Sequence, residues 1–150
     1  MMRAEEKQES GFVLMELLVV ISIIGILTAG IALSANDILP NYRLESQINI
    51  ILSDFRKAQQ RAISEQIRYG IRFDDTNNEY TIFNDDVGDI KTKTLDNGLE
   101  YSEITFGGDE EVTFIPLGTA DNGHLTLRNS NNQKYEIVVS GIGRIRLEKQ

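Results

Sequence analysis

The chain has no cysteine, one histidine and two prolines among its 150 residues. Without cysteine it has no disulfide, no thiolate metal ligand and no thiol nucleophile, so the fold must be held by its core. The lone histidine, His124, would have to serve any Ser-His-Asp arrangement. It stands in the alternating stretch His124-Leu125-Thr126-Leu127-Arg128, which reads as a surface position on a strand. No glycine-rich phosphate loop of the Walker or dinucleotide type is present. These absences leave an enzymatic role without support and imply no cofactor.

Positive charge is also scarce. The net charge is −8, and residues 1–11 carry Arg3 and Lys7 against Glu5, Glu6 and Glu9, so the remainder stands at −7. A chain this acidic has no general attraction for nucleic acid or anionic lipid, and such binding would need a local patch.

What the sequence does have is a long apolar run. From Phe12 to Leu33 it reads FVLMELLVVISIIGILTAGIAL, with Glu16 its one strongly polar member. A helix crosses a bilayer with about 20 residues. A secretory signal would be shorter, about 7–15 residues, and would end in a small-residue cleavage site. A plain anchor explains the length but not Glu16, because a carboxylate at the centre of a span costs about 2.5–3.5 kcal/mol. Glu16 either reaches the headgroups from its place near the start of the run or has a function there. The hydrophilic segment before the run, MMRAEEKQESG, stops abruptly at Gly11.

The stretch G-F-V-L-M-E-L-L-V-V-I-S-I-I-G-I-L, Gly11 to Leu27, resembles the signature of type IV prepilins and type II secretion pseudopilins. The resemblance implies that a prepilin peptidase cuts between Gly11 and Phe12 on the cytoplasmic side and methylates Phe12. It further implies that Glu16 guides assembly, as the counter-charge to the new α-amino group of a neighbouring subunit. Phe12 and Glu16 are also i, i+4 neighbours, so pairing within one helix is the alternative. The leader is less basic than is usual in that family, Val13 and Met15 replace the commoner Thr and Ile, and the first proline is Pro40.

Beyond the run, Leu44, Ile48, Ile51, Leu52, Phe55, Ala58, Ala62 and Ile63 recur at steps of three and four and define one face of an amphipathic helix ending near Ile67. Arg43, Glu45, Asn49, Arg56, Lys57, Gln60 and Arg61 form its solvated face. From residue 68 the pattern changes to short β-prone runs between turn residues. Arg68–Phe73 and Glu79–Phe83 flank D-D-T-N-N as a hairpin; Leu99–Thr105, Glu111–Ile115, His124–Arg128, Tyr135–Ser140 and Arg144–Leu147 complete about seven strands. The expected class is α+β. A leader (1–11), a membrane-spanning helix (12–33) and its amphipathic continuation (34–67) precede a head (68–150) built as an antiparallel sheet or two-sheet sandwich on that helix.

The segments F-I-P-L-G-T-A (114–120), H-L-T-L-R-N and Y-E-I-V-V-S-G-I-G-R-I-R-L (135–147) are similar to the heads of H-type minor pseudopilins and FimT-type minor pilins. The two resemblances imply a structural subunit of a type II secretion pseudopilus. They place it in the bacterial inner membrane as a single pass, with its N-terminus cytoplasmic, its head outside, and other subunits and an inner-membrane assembly platform as partners. The loop N-D-D-V-G-D (84–89) with Asp96 offers oxygen ligands of the kind Ca²⁺ accepts, but its spacing is not that of an EF-hand and turn residues are the better reading. Arg144 and Arg146 fall on one side if their segment is a strand and, with Lys149, would make a small cationic patch. Such a patch contacts either an acidic neighbour or DNA; a net basic face would favour DNA, and a face interrupted by acids the secretion role.

Overall fold

The computed structural model describes residues 5–107 and 110–150, with side chains in its helix described at 12–28 and from Ile38 onward. Helix α1 spans Glu5–Glu65. It passes through two compact units, Met1–Ile38 and Leu39–Gln150. The helix starts earlier than the apolar run because Glu5, Glu6, Lys7, Gln8 and Glu9 are themselves good helix formers. It stops at Glu65 rather than Ile67: Gln66 takes a left-handed φ of 58°, and its side-chain Nε2 donates to the Ile63 carbonyl at 2.6 Å, satisfying one of the open carbonyls of the last turn. Pro40 lies inside α1.

In the second unit the expected apolar face is the buried one. Leu44, Ile48, Ile51, Leu52, Phe55, Ala58 and Ala62 are all buried, and the seven polar positions assigned to the solvated face are exposed. Ile63 departs from the reading, being 46% exposed.

Among the described residues eight strands follow the helix. β1 (Tyr69–Asp74), β2 (Glu79–Asn84), β3 (Gly88–Thr94) and β5 (Glu111–Phe114) form one sheet in the order β3-β2-β1-β5. β4 (Leu99–Phe106), β6 (Gly123–Asn129), β7 (Lys134–Val139) and β8 (Ile145–Lys149) form the other, in the order β4-β6-β7-β8. All strand pairs are antiparallel. The strand absent from the sequence reading is β3. Every residue of GDIKTKT except Lys93 is exposed, so burial imposes no alternation on it. The strand is specified instead by pairing at the sheet edge, with Thr92 and Thr81 hydroxyls 2.9 Å apart and Thr94 donating to Glu79 at 3.1 Å. The segment 84–89 spans the β2–β3 turn, residues 85–87. Among the described residues no group of three or more His, Asp or Glu is placed to hold a metal ion.

One core joins α1 to both sheets. The Phe55 ring lies 6.0 Å from Phe73, 6.2 Å from Phe106 and 6.2 Å from Phe114, centroid to centroid. Phe73 in turn stacks with Phe106 at 5.9 Å and meets Tyr101 edge-on at 5.8 Å, geometries that add to the burial of the rings. At the β1–β2 turn Asp74 accepts from the backbone and side chain of Asn77 at 3.0 and 2.7 Å. The side-chain bond from Asn77, the larger cause, and then the backbone bond hold this carboxyl below its ordinary pKa.

Two phenols make stability depend on high pH. Burial pushes Tyr80 and Tyr101 well above the ordinary tyrosine value of 10.0, and for Tyr80 the bond it donates to Asp54 adds to the shift. A pKa raised in the folded state means that the neutral phenol's contribution is fully present below pH 10.0 and declines as pH rises from there toward the folded value. Melting followed by circular dichroism between about pH 8 and pH 11 should show a flat region that gives way to falling stability above pH 10, more gently in Tyr101→Phe.

Candidate functional site

In the N-terminal unit every described side chain of the apolar run is exposed, with Phe12 at 75% and Ile26 at 73%. A helix that is apolar all round must be covered by lipid or by other helices. Its mildly polar members are satisfied on their own backbone: Ser22 donates to the Leu18 carbonyl at 2.7 Å and Thr28 to that of Ile24 at 2.9 Å. Such bonds suit a medium without water. Glu16 is the exception, a carboxylate between shallow apolar grooves lined by Val13, Leu14, Leu17 and Val20 on one side and by Phe12, Met15 and Val19 on the other. Its neighbours on the helix supply no cation. Positions 1–4 of the expected leader lie outside the described residues. The side chains of 5–11 and of 29–33, at the end of the expected span, also lie outside those described. Among the described residues no helix is long and apolar enough to cross a membrane.

The C-terminal arginines lie across the start of the last strand. β8 begins at Ile145, so Arg144 belongs to the turn before it, where its backbone exchanges hydrogen bonds with Ser140. Glycines force this turn: Gly143 has φ 80°, and a Cβ there would lie 1.8 Å from the Gly118 carbonyl oxygen. Arg146 does lie on the strand and faces Glu148 at 3.9 Å. Lys149 lies one face round, its Nζ 5.6 Å from the Tyr135 ring centroid. Arg144 and Arg146 are both exposed and alternate with the partly buried Ile145 and Leu147; Lys149 stands apart from them, and Glu148 interrupts the cationic surface.

His124 is a partly covered strand residue on the outer face of its sheet. Its Nδ1 lies 2.8 Å from the Thr105 hydroxyl, and Glu103 and Glu136 approach the ring at 3.4 and 3.8 Å.

Two polar residues that sequence reasoning passed over organise the head. Asp54 is buried on the helix's core side, where it accepts from Tyr80 Oη at 2.7 Å and Lys93 Nζ at 2.5 Å. Its spacing from Ile51, Ala58 and Ala62 had already placed it on the apolar stripe, the signal that could have found it. Gln59 donates through Nε2 to the carbonyls of Gly118 and Gly143 at 2.8 and 2.7 Å. One helical side chain thereby ties together the P-L-G and G-I-G turns, the segments by which the head resembles its relatives.

Residues 47–143 match the model of a family described as type II transport protein GspH. Among solved structures the chain is similar to the minor pseudopilin EpsH from the type 2 secretion system of Vibrio cholerae, at 16% identity and a TM-score of 0.61, over 71% of this chain and 97% of that one. It is also similar to the type IV minor pilin FimU of Pseudomonas aeruginosa, at 15% identity and a TM-score of 0.58, over 72% of this chain and 90% of that one. No curated protein matches the sequence. The matched family segment takes in α1 from Gln47 onward and the head as far as Gly143.

Proposed function

The chain belongs to the GspH family of type II transport proteins, and from that premise we propose that it is a minor pseudopilin, a non-enzymatic structural subunit of a type II secretion pseudopilus. It is made as a precursor, enters the inner membrane by the helix beginning at Phe12, and keeps its N-terminus cytoplasmic and its head outside. A prepilin peptidase removes residues 1–11 and methylates Phe12. The assembly platform then draws the subunit from the bilayer into a bundle of like helices, leaving the head to meet other subunits or cargo.

The observation that carries this reading is Glu16, a lone carboxylate near the start of a helix exposed and apolar on every side, in a chain whose head is of this family. The counter-charge proposed for a carboxylate so placed is the α-amino group released at Phe12 of a neighbouring subunit, with the α-amino group of its own chain the alternative. Breaking a buried pair of this kind by removing one member costs about 3–5 kcal/mol. Glu16→Ala should therefore still be inserted and cleaved, yet lower incorporation into sheared filaments, and secretion with it, by at least about tenfold. Undiminished incorporation of Glu16→Ala would contradict the assigned role.

The alternative, a minor pilin that captures DNA through Arg144 and Arg146, is less well supported. The Arg146–Glu148 pair breaks the positive face, and the net charge of −7 left without residues 1–11 opposes a polyanion.

A further inference from the structure

The head has a second charged feature, unrelated to the C-terminal arginines. A groove of about 380 Å³ runs between α1 and the β1–β3 sheet, with Ala58, Ile82 and Ile90 as apolar lining and Lys57, Arg61 and Lys91 around it. Among the described residues Lys57 and Lys91 form no ion pair. Arg61 makes one loose pair, 3.8 Å from Glu65 with both side chains well exposed, which neutralises little. The acid in the groove, Asp54, is already committed to Tyr80 and Lys93. In a chain of charge −8 this leaves a concentrated cationic site over an apolar floor, of the size that holds a side chain or a short peptide turn.

The same head carries the complementary shape. The β2–β3 turn presents Asp85, Asp86 and, at its tip, Val87, which is 75% exposed. The turn is preorganised: the Asn84 side chain accepts from the Val87 N–H at 2.8 Å, and Gly88 supplies the left-handed φ of 81° that closes it. Among the described residues the Asp85 carboxylate makes one ion pair, an open one with Arg68 at 3.8 Å. A rigid tip with two carboxylates beside one aliphatic side chain matches a groove with lysines beside an aliphatic floor, and a rigid tip loses little entropy on docking.

We propose that the groove between α1 and β1–β3 receives the Asp85-Asp86-Val87 turn of a second copy of this chain, making a head-to-head contact. The contact rests on the unit Leu39–Gln150 alone and does not depend on the membrane or processing assignments.

Because the chain has no cysteine, single engineered thiols report the contact directly. Two differently tagged full-length chains, one with Val87→Cys and the other with Ile90→Cys, are mixed in detergent micelles and oxidised; Leu117→Cys, 85% exposed, replaces Ile90→Cys as the control for random encounter. The Val87–Ile90 disulfide should form with a yield about fivefold above the control at low salt and fall toward it at 0.5 M salt, where the screening length shrinks to a few ångströms. Lys57→Glu with Lys91→Glu on the groove chain, or Asp85→Lys with Asp86→Lys on the tip chain, should abolish the excess. Combining both reversals should restore it, which also shows that the altered chains are folded. A yield equal to the control, or one indifferent to the reversals, overturns the proposal, as does capture of a different acidic protein at Ile90→Cys with none of the Val87 partner.

Discussion

Phe55→Ala is expected to lower the unfolding free energy of the head by about 3–5 kcal/mol, a large part of the roughly 5–15 kcal/mol that holds a domain of this kind together. The reason is position. Phe55 is fully buried, and its ring is the point at which α1 meets Phe73 and Phe114 of one sheet and Phe106 of the other. Removing it opens a cavity where three layers converge, and none can close the gap without giving up its own pairing. With no disulfide to hold the layers, nothing else compensates. The comparison is Ile63→Ala, on the same helix but 46% exposed, which should change stability by less than about 1 kcal/mol. Urea unfolding followed by the tyrosine signals of the head would separate the two; equal effects would mean that the aromatic junction is not what joins helix and sheets.

That contrast between Phe55 and Ile63 also marks what the sequence could reveal. The apolar stripe of the helix was legible because burial on one side imposes a 3.6-residue period, and Leu44 through Ala62 obey it. Ile63 satisfies the same spacing but lies at the border of the stripe, beside the turn at Gly118, where period alone does not decide exposure. Seven strands were legible where one face is buried and the other is not, as in β5, whose Val112 and Phe114 point inward. β3 was not, because an edge strand exposed on both faces carries no such record and is fixed by its neighbour. What the sequence did not show of the arginine segment is where its strand begins: Arg144 and Arg146 are both exposed and alternate with the partly buried Ile145 and Leu147, but Gly143 brings the turn so close to Gly118 that β8 starts only at Ile145.

Of the proposed functional residues, Glu16 is conspicuous as a polar residue in an apolar run, whereas the roles proposed for Gly11 and Phe12 rest on the resemblance to prepilins. Asp54 was marked only by its spacing on the apolar stripe, with its partner Tyr80 far off in the chain, and Gln59 by nothing, since it looks like an ordinary helical polar residue until Gly118 and Gly143 are brought against it.

The central claim is that Gly11 is a processing site and not merely the residue before an anchor. α1 begins at Glu5 and runs through Gly11, so a peptidase acting between Gly11 and Phe12 must first unwind the helix locally. Glycine favours this, because it is about 1 kcal/mol less favourable in a helix than alanine, worth roughly fivefold in the population of the unwound form. It also presents the scissile bond without a Cβ. Gly11→Ala removes both advantages and should slow cleavage by at least about tenfold. The deciding measurement is the intact N-terminal mass of the full chain co-expressed with a prepilin peptidase, wild type beside Gly11→Ala. The account predicts that wild type loses residues 1–11 and gains the mass of one methyl group on Phe12, while Gly11→Ala keeps its leader. A wild-type chain that retains residues 1–11 would contradict it.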